Sequence, residues 1–119
     1  MATICPILGY RDAETAIAWL GEAFGFIEHA VMRHDGGIAH AEMRYGDDIV
    51  MLGEREEHKE TYGIYVVVDD PDAHHTRAVA AGATITRELT DMDYGSREYS
   101  CLDPEGHEWH FGTWRPVKD

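Results

Sequence analysis

Cysteine is scarce in this chain. Cys5 and Cys101 are the only two, too few for a disulfide framework, and neither sits in a CxxC or Cys/His knuckle. Both are expected to be free thiols of a reducing compartment. Basic residues are few as well: 10 Lys+Arg stand against 23 Asp+Glu, a net charge of −13. Such a field repels phosphate and excludes nucleic acid as a partner. No apolar run approaches the ~20 residues of a membrane-spanning helix, which excludes a membrane partner. The opening MATICPILGYRD lacks the basic stretch of a secretory signal. Together these absences point to a cytoplasmic protein. What is present suffices for a core: 44% of the 119 residues are hydrophobic and 10% aromatic, the size and make-up of a single domain, 1–119.

The chain reads as one module written twice. Residues 3–8 form a short apolar run. Asp12 then opens AETAIAWLGEAFGF as an N-cap, with Glu14 in the first turn and Gly25 placed to end the helix. Ile17, Leu20 and Phe24 recur at helical spacing, and Trp19 widens the apolar stripe. Residues 26–52 follow as three strands, broken at Gly36 and Gly37 and again at Gly46 and Asp47. The second half repeats the plan. YGIYVVV (62–68) is a β-branched strand, Asp70 and Pro71 start a helix, and Gly82 closes it at Ala81. Strands are expected at 84–89, 97–102 and 108–113, with Pro104, Glu105 and Gly106 turning the chain before the last. Module one covers about 1–53, a polar linker 54–61, and module two about 62–119. The fold class is α+β, two βαβββ modules.

The segments YRDAETAIAWLGEAFGF, YVVVDDPD and YGSREYSCLDPEGHEWHFGTW resemble the vicinal oxygen chelate superfamily of glyoxalases, bleomycin-resistance proteins and extradiol dioxygenases. The last segment is most similar to bleomycin-resistance and PhnB-like members. The resemblance implies modules whose sheets curl into an open β-cup with the helices outside, and a homodimer. It also implies four metal-ligand positions in the metal-dependent relatives, on the first, fourth, fifth and eighth strands. Here those positions carry Cys5, Met51, Gly63 and His110. Glycine offers no ligand and a thioether is a poor one for divalent ions that polarise oxygen, so no metal and no cofactor are expected.

The remaining chemistry lies in polar and aromatic residues. In IAHAEMRY, alternation puts His40, Glu42 and Arg44 on one strand face. An improvised two-histidine, one-carboxylate set of His40, Glu42 and His110 is conceivable, although a solvated strand face is the more ordinary reading. Alternation from Gly63 turns Tyr65 toward the cup. Tyr99 is assigned to the cup together with Arg97 and Cys101, and Tyr94 lies in the neighbouring loop. Trp109 and Phe111 read as core, and Trp114 as a roof. His74 and His75 read as surface residues of the second helix, His107 as an exposed turn residue, and His58 as part of the linker. No serine elbow is present, and Cys5 has no evident activating base.

Two functions compete. The first is a binding protein of bleomycin-resistance type that holds an aromatic or cationic small molecule, an antibiotic among the candidates, without turnover. Its contacts are His40, Glu42, Tyr65, Tyr94, Tyr99, His110 and Trp114. The alternative is a glyoxalase-like metal-dependent lyase or isomerase, with the resemblance as its support.

Overall fold

In the computed structural model, residues 4–56 and 63–116 are described. The chain divides into two compact units, Met1–Thr61 and Tyr62–Asp119. The first carries strand β1 (Ile7–Tyr10), helix α1 (Ala13–Phe24) and strands β2 (Ile27–His34), β3 (Gly37–Tyr45) and β4 (Asp48–Glu54). The second carries β5 (Gly63–Val67), α2 (Pro71–Ala80), β6 (Thr84–Asp91), β7 (Arg97–Leu102) and β8 (Glu108–Gly112). The sheets follow one plan, ordered β1-β4-β3-β2 and β5-β8-β7-β6. The first strand of each runs parallel to the last, and the other pairings are antiparallel. This is the α+β repeat of βαβββ modules that the caps and breaks imply.

The helix ends follow their local chemistry. Asp12 accepts from the backbone N–H of Thr15 at 3.0 Å, and Gly25 ends α1 in the left-handed region at φ 83°. Asp70 accepts likewise from Ala73, with Pro71 in the first turn. Gly82 takes φ 91° just beyond α2. The hairpin between β2 and β3 turns on Asp35 and Gly36, both at positive φ, the two-residue geometry that suits the strand twist.

Differences from the sequence reading are local. β1 starts at Ile7 and runs to Tyr10, later than the apolar run, and β6 extends to Asp91. Thr3, Tyr62, His58 and most of the linker lie outside the described residues. Glu54 belongs to β4. Its carboxylate accepts from the N–H groups of Ile38 (2.9 Å) and Ala13 (3.4 Å), tying the strand to the helix start.

Each helix covers one face of its own sheet. In module one, Ala16, Ile17, Leu20 and Phe24 of α1 are buried, as are Leu8, Ala41, Met43, Val50 and Leu52 of the strands. In module two the core is Tyr99, Cys101, Trp109 and Phe111, all fully buried. Burial and the neighbouring Asp103 charge push the Cys101 thiol up to about 12, so it is a packing residue rather than a nucleophile.

Asp103 organises the turn into β8. It accepts from the backbone N–H groups of Glu105 and His107 and from the Trp109 indole at 3.1 Å. That clamp draws His107 inside, where it is fully buried, in place of the exposed turn position expected. His74 and His75 are also corrected. The His74 ring lies 4.2 Å from that of Phe111, with Nδ1 2.5 Å from the Tyr99 hydroxyl. His75 meets Tyr99 edge-on at 5.1 Å and pairs with Glu88 at 3.0 Å.

Replacing Asp103 by Ala leaves the buried Trp109 N–H without this acceptor and should cost about 2–3 kcal/mol, read as a lower denaturant midpoint. Native protein at pH 8 should expose one thiol to a colorimetric thiol reagent, Cys5, and denatured protein two.

Candidate functional site

Period-two alternation sorts every strand of module two into a helix-covered face and an opposite face. Register fixes the opposite face. Tyr65 pairs with His110, Ser100 with His110, and Glu98 with Gly112. On that face, Tyr65, Glu98 and His110 line a cavity of about 790 Å³ together with Val67, Tyr94, Trp114 and Pro116, a size that suits a small organic molecule.

Glu98 is the chemical centre of this cavity, although it is only 8% exposed. Its Oε2 accepts from the hydroxyls of Ser96 (2.8 Å) and Tyr65 (3.2 Å), and its Oε1 accepts from Tyr94 (3.0 Å). A buried charge is tolerated where donors replace its water. The backbone N–H of Trp114 donates to both the Tyr65 hydroxyl and Ser96 Oγ, each at 3.1 Å. The segment after β8 is thereby held at the cavity wall. The Tyr94 and Trp114 rings meet at 82° with centroids 6.4 Å apart, forming a corner. Tyr65, Tyr94 and Trp114 remain 37%, 54% and 46% exposed, so their faces are open to a ligand.

Burial pushes the Tyr65 hydroxyl above the ordinary 10.0; the Ser96 hydrogen bond offsets part of this, while the Glu98 charge adds to it. Tyr94 is raised by partial burial first, then by its hydrogen bond to Glu98 and the charge there. Both tyrosines therefore stay donors. His110 is fixed from two sides, with Nδ1 2.7 Å from Ser100 Oγ and Nε2 3.0 Å from Glu108 Oε1.

Of the expected contacts, Tyr65, Tyr94, His110 and Trp114 come together here. Tyr99 does not: it stacks on Phe111 at 5.2 Å beneath α2 and is fully buried. The assignment slips by one residue, which sends a whole strand to the wrong face. The same slip hid Glu98 and Ser96. The register makes the correct face plain, because Tyr99 pairs with Phe111 and Cys101 with Trp109, two partners that read as core.

His40 and Glu42 lie on the corresponding face of module one. Glu42 Oε2 is 3.0 Å from His40 Nε2, and its Oε1 is 3.8 Å from His29 Nε2. Its recorded partners are thus these two histidines of its own module. Met51 pairs with Ile7 and Glu42 just as His110 pairs with Tyr65 and Ser100. The two residues hold equivalent positions, as do Cys5 and Gly63 two residues before Ile7 and Tyr65. The four positions that the resemblance implies as metal-ligand positions carry a thiol, a thioether, a glycine and an imidazole. That donor set does not fit a divalent oxygen-polarising ion. Among the described residues, no group of three or more His, Cys, Asp or Glu side chains is gathered to hold a metal. Among them, too, no helix is long and apolar enough to cross a membrane.

Residues 4–111 match the Glyoxalase/Bleomycin resistance protein/Dioxygenase superfamily model, and the chain belongs to that superfamily. It is similar to TioX from Micromonospora sp. ML1, 33% identical over 94% of this chain and 98% of that one, with a TM-score of 0.84. An uncharacterized protein of Mycobacterium tuberculosis H37Rv, Rv0887c, is 33% identical over 98% of this chain and 75% of its own length. The fosfomycin resistance protein FosX of Mesorhizobium loti shares the fold at 19% identity, over 96% of this chain and 92% of that one, with a TM-score of 0.74.

Two outcomes test this geometry. A Cβ at Gly112 would lie 2.5 Å from Glu98 Cγ and 2.6 Å from the Tyr65 hydroxyl. Gly112→Ala should therefore push both side chains into the cavity and cost ~1–3 kcal/mol by overpacking, measured by thermal denaturation. The raised tyrosines contribute stability that is fully present below their ordinary 10.0 and is lost as pH rises through their higher folded values. Ultraviolet titration should show tyrosines ionising later in native than in denatured protein.

Proposed function

We propose that the protein binds a small aromatic or cationic molecule in the module-two cavity and does not turn it over. The observation that carries this reading is a cavity with three uncovered aromatic side chains and a carboxylate at its base. Aromatic contacts contribute ~0.5–1.5 kcal/mol each beyond area burial, and the acidic field attracts cations. Tyr65, Tyr94 and Trp114 supply stacking, and His110 contributes its ring to the cavity wall. His40 and Glu42 offer the same chemistry on module one. The cavity's charged role falls to Glu98 rather than to Glu42, which lies on module one.

The lyase or isomerase alternative needs an electrophile or a free base. The four inherited positions supply too few donors, and both nitrogens of His110 are engaged. Membership of a superfamily that includes bleomycin-resistance proteins supports the binding reading at the level of class, and an antibiotic is one ligand of suitable size. A cytoplasmic homodimer completes the proposal. The exposed apolar side chains Ile7, Ile27 and Met32 are surface that a second copy would cover, and light scattering reads that directly.

Thermal-shift screening of cationic aromatic antibiotics against 2-oxo compounds tests the function. A ligand that binds only folded protein raises stability by RT ln(1 + [L]/Kd). Trp114→Ala should weaken a hit by about tenfold, in line with loss of one stacked ring with its buried area. Turnover of a 2-oxoaldehyde hemithioacetal by zinc-, nickel- or iron-saturated protein, abolished in His110→Ala, would replace the binding reading with the enzymatic one.

A further inference from the structure

The arrangement of hydroxyls around Glu98 goes further than a preference for positive charge. An ionised carboxylate offers about four lone-pair sites, two on each oxygen. Oε2 is saturated, with Ser96 at 2.8 Å and Tyr65 at 3.2 Å. Oε1 carries one donor, Tyr94 at 3.0 Å, and keeps one site. The residues lining the cavity include neither lysine nor arginine.

We infer that the cavity selects ligands presenting a single N–H on a positive nitrogen beside a flat ring, a protonated tertiary amine being the model, and disfavours guanidinium groups. This rests on the binding function proposed above. A guanidinium projects parallel N–H groups that need two neighbouring free acceptors. Here one of those positions is already taken by Tyr65 and Ser96, so part of the fork enters the cavity unpaired, and an unpaired buried donor is costly. A tertiary ammonium has one N–H for the open site on Oε1. Its alkyl groups then meet the corner of Tyr94 and Trp114, where the ring faces favour a cation. Tyr65 is the residue that sets the preference, because it closes the second oxygen.

The experiment uses four probes sharing one ring: dimethyl(naphthylmethyl)amine, naphthylmethylguanidine, trimethyl(naphthylmethyl)ammonium and naphthylmethanol. Each is titrated calorimetrically into the full-length protein at neutral pH. The dimethylamine should bind tightest. The guanidine and the quaternary ammonium, which lacks an N–H, should each be weaker by about tenfold, the value of one charge-assisted hydrogen bond. Glu98→Gln should remove the amine's advantage and leave naphthylmethanol unchanged. Tyr65→Phe opens an acceptor site on Oε2, while Ser96 still holds Trp114. In that variant the guanidine should gain on the amine, and this second variant keeps the test independent of how well Glu98→Gln folds.

A guanidine equal to or tighter than the amine on wild type overturns the inference and leaves the binding function standing. So does an amine affinity that folded Glu98→Gln leaves unchanged. Absence of binding by all four probes at millimolar concentration overturns the binding function, and the selectivity with it.

Discussion

The parallel pairing of the first and last strand governs each module. Because β4 runs with β1, and β2 and β3 alternate back from it, β1 and β2 point the same way from opposite edges of one sheet. A hairpin cannot join parallel strands, so the connection must cross the sheet, and α1 is that crossover. It covers one face from edge to edge and commits Ala41, Met43, Val50 and Leu52 to the core. β5, α2 and β6 obey the same constraint. The face left uncovered is relieved of core packing, and there a sequence can vary its chemistry without unfolding the module.

Equivalent positions on the two uncovered faces illustrate this freedom. Met51 stands where His110 stands, Glu42 where Ser100 does, and His40 where Glu98 does, two residues earlier on the same strand. Module one thus has a carboxylate between two histidines at the site where module two has a hydroxyl facing one. Module two places its carboxylate two residues earlier on that strand, opposite Gly112, whose missing side chain makes room for it. The scaffold repeats while the donor sets diverge.

Much of the fold was legible because its signals are local. Asp12, Gly25, Asp70 and Pro71 each act within a turn of helix, and the breaks near Gly36 and at Gly46 need only a few residues to specify. The first turn falls on Asp35 and Gly36, one residue before the expected pair Gly36 and Gly37. The site was less legible because it depends on register. Tyr65, Tyr94, His110 and Trp114, which the structure brings to one cavity, stand out in the sequence because aromatic and imidazole side chains attract attention wherever they lie. Glu98 was missed because REYSCL contains apolar or aromatic residues at both parities, and the strand was assigned to the wrong face. His107 was misread for a related reason. A residue beside a turn is exposed by default, unless a side chain of the same turn pulls it inward, as Asp103 does here by accepting from the His107 N–H four residues on.

Net charge and the Glu98 cradle act over different distances, and this decides which of them can discriminate among ligands. A charge of −13 raises the concentration of any cation near the surface, but at physiological ionic strength it is screened within about 8 Å. It treats amines and guanidines alike. Glu98 lies under partial cover of protein, where screening is weak, and its neighbours are hydroxyls with fixed directions. The general field governs encounter, whereas the number of unoccupied lone pairs on one carboxylate governs which cation stays. Added salt should thus slow capture for every cationic ligand while leaving the ranking among them nearly intact, because a hydrogen bond's direction is not screened.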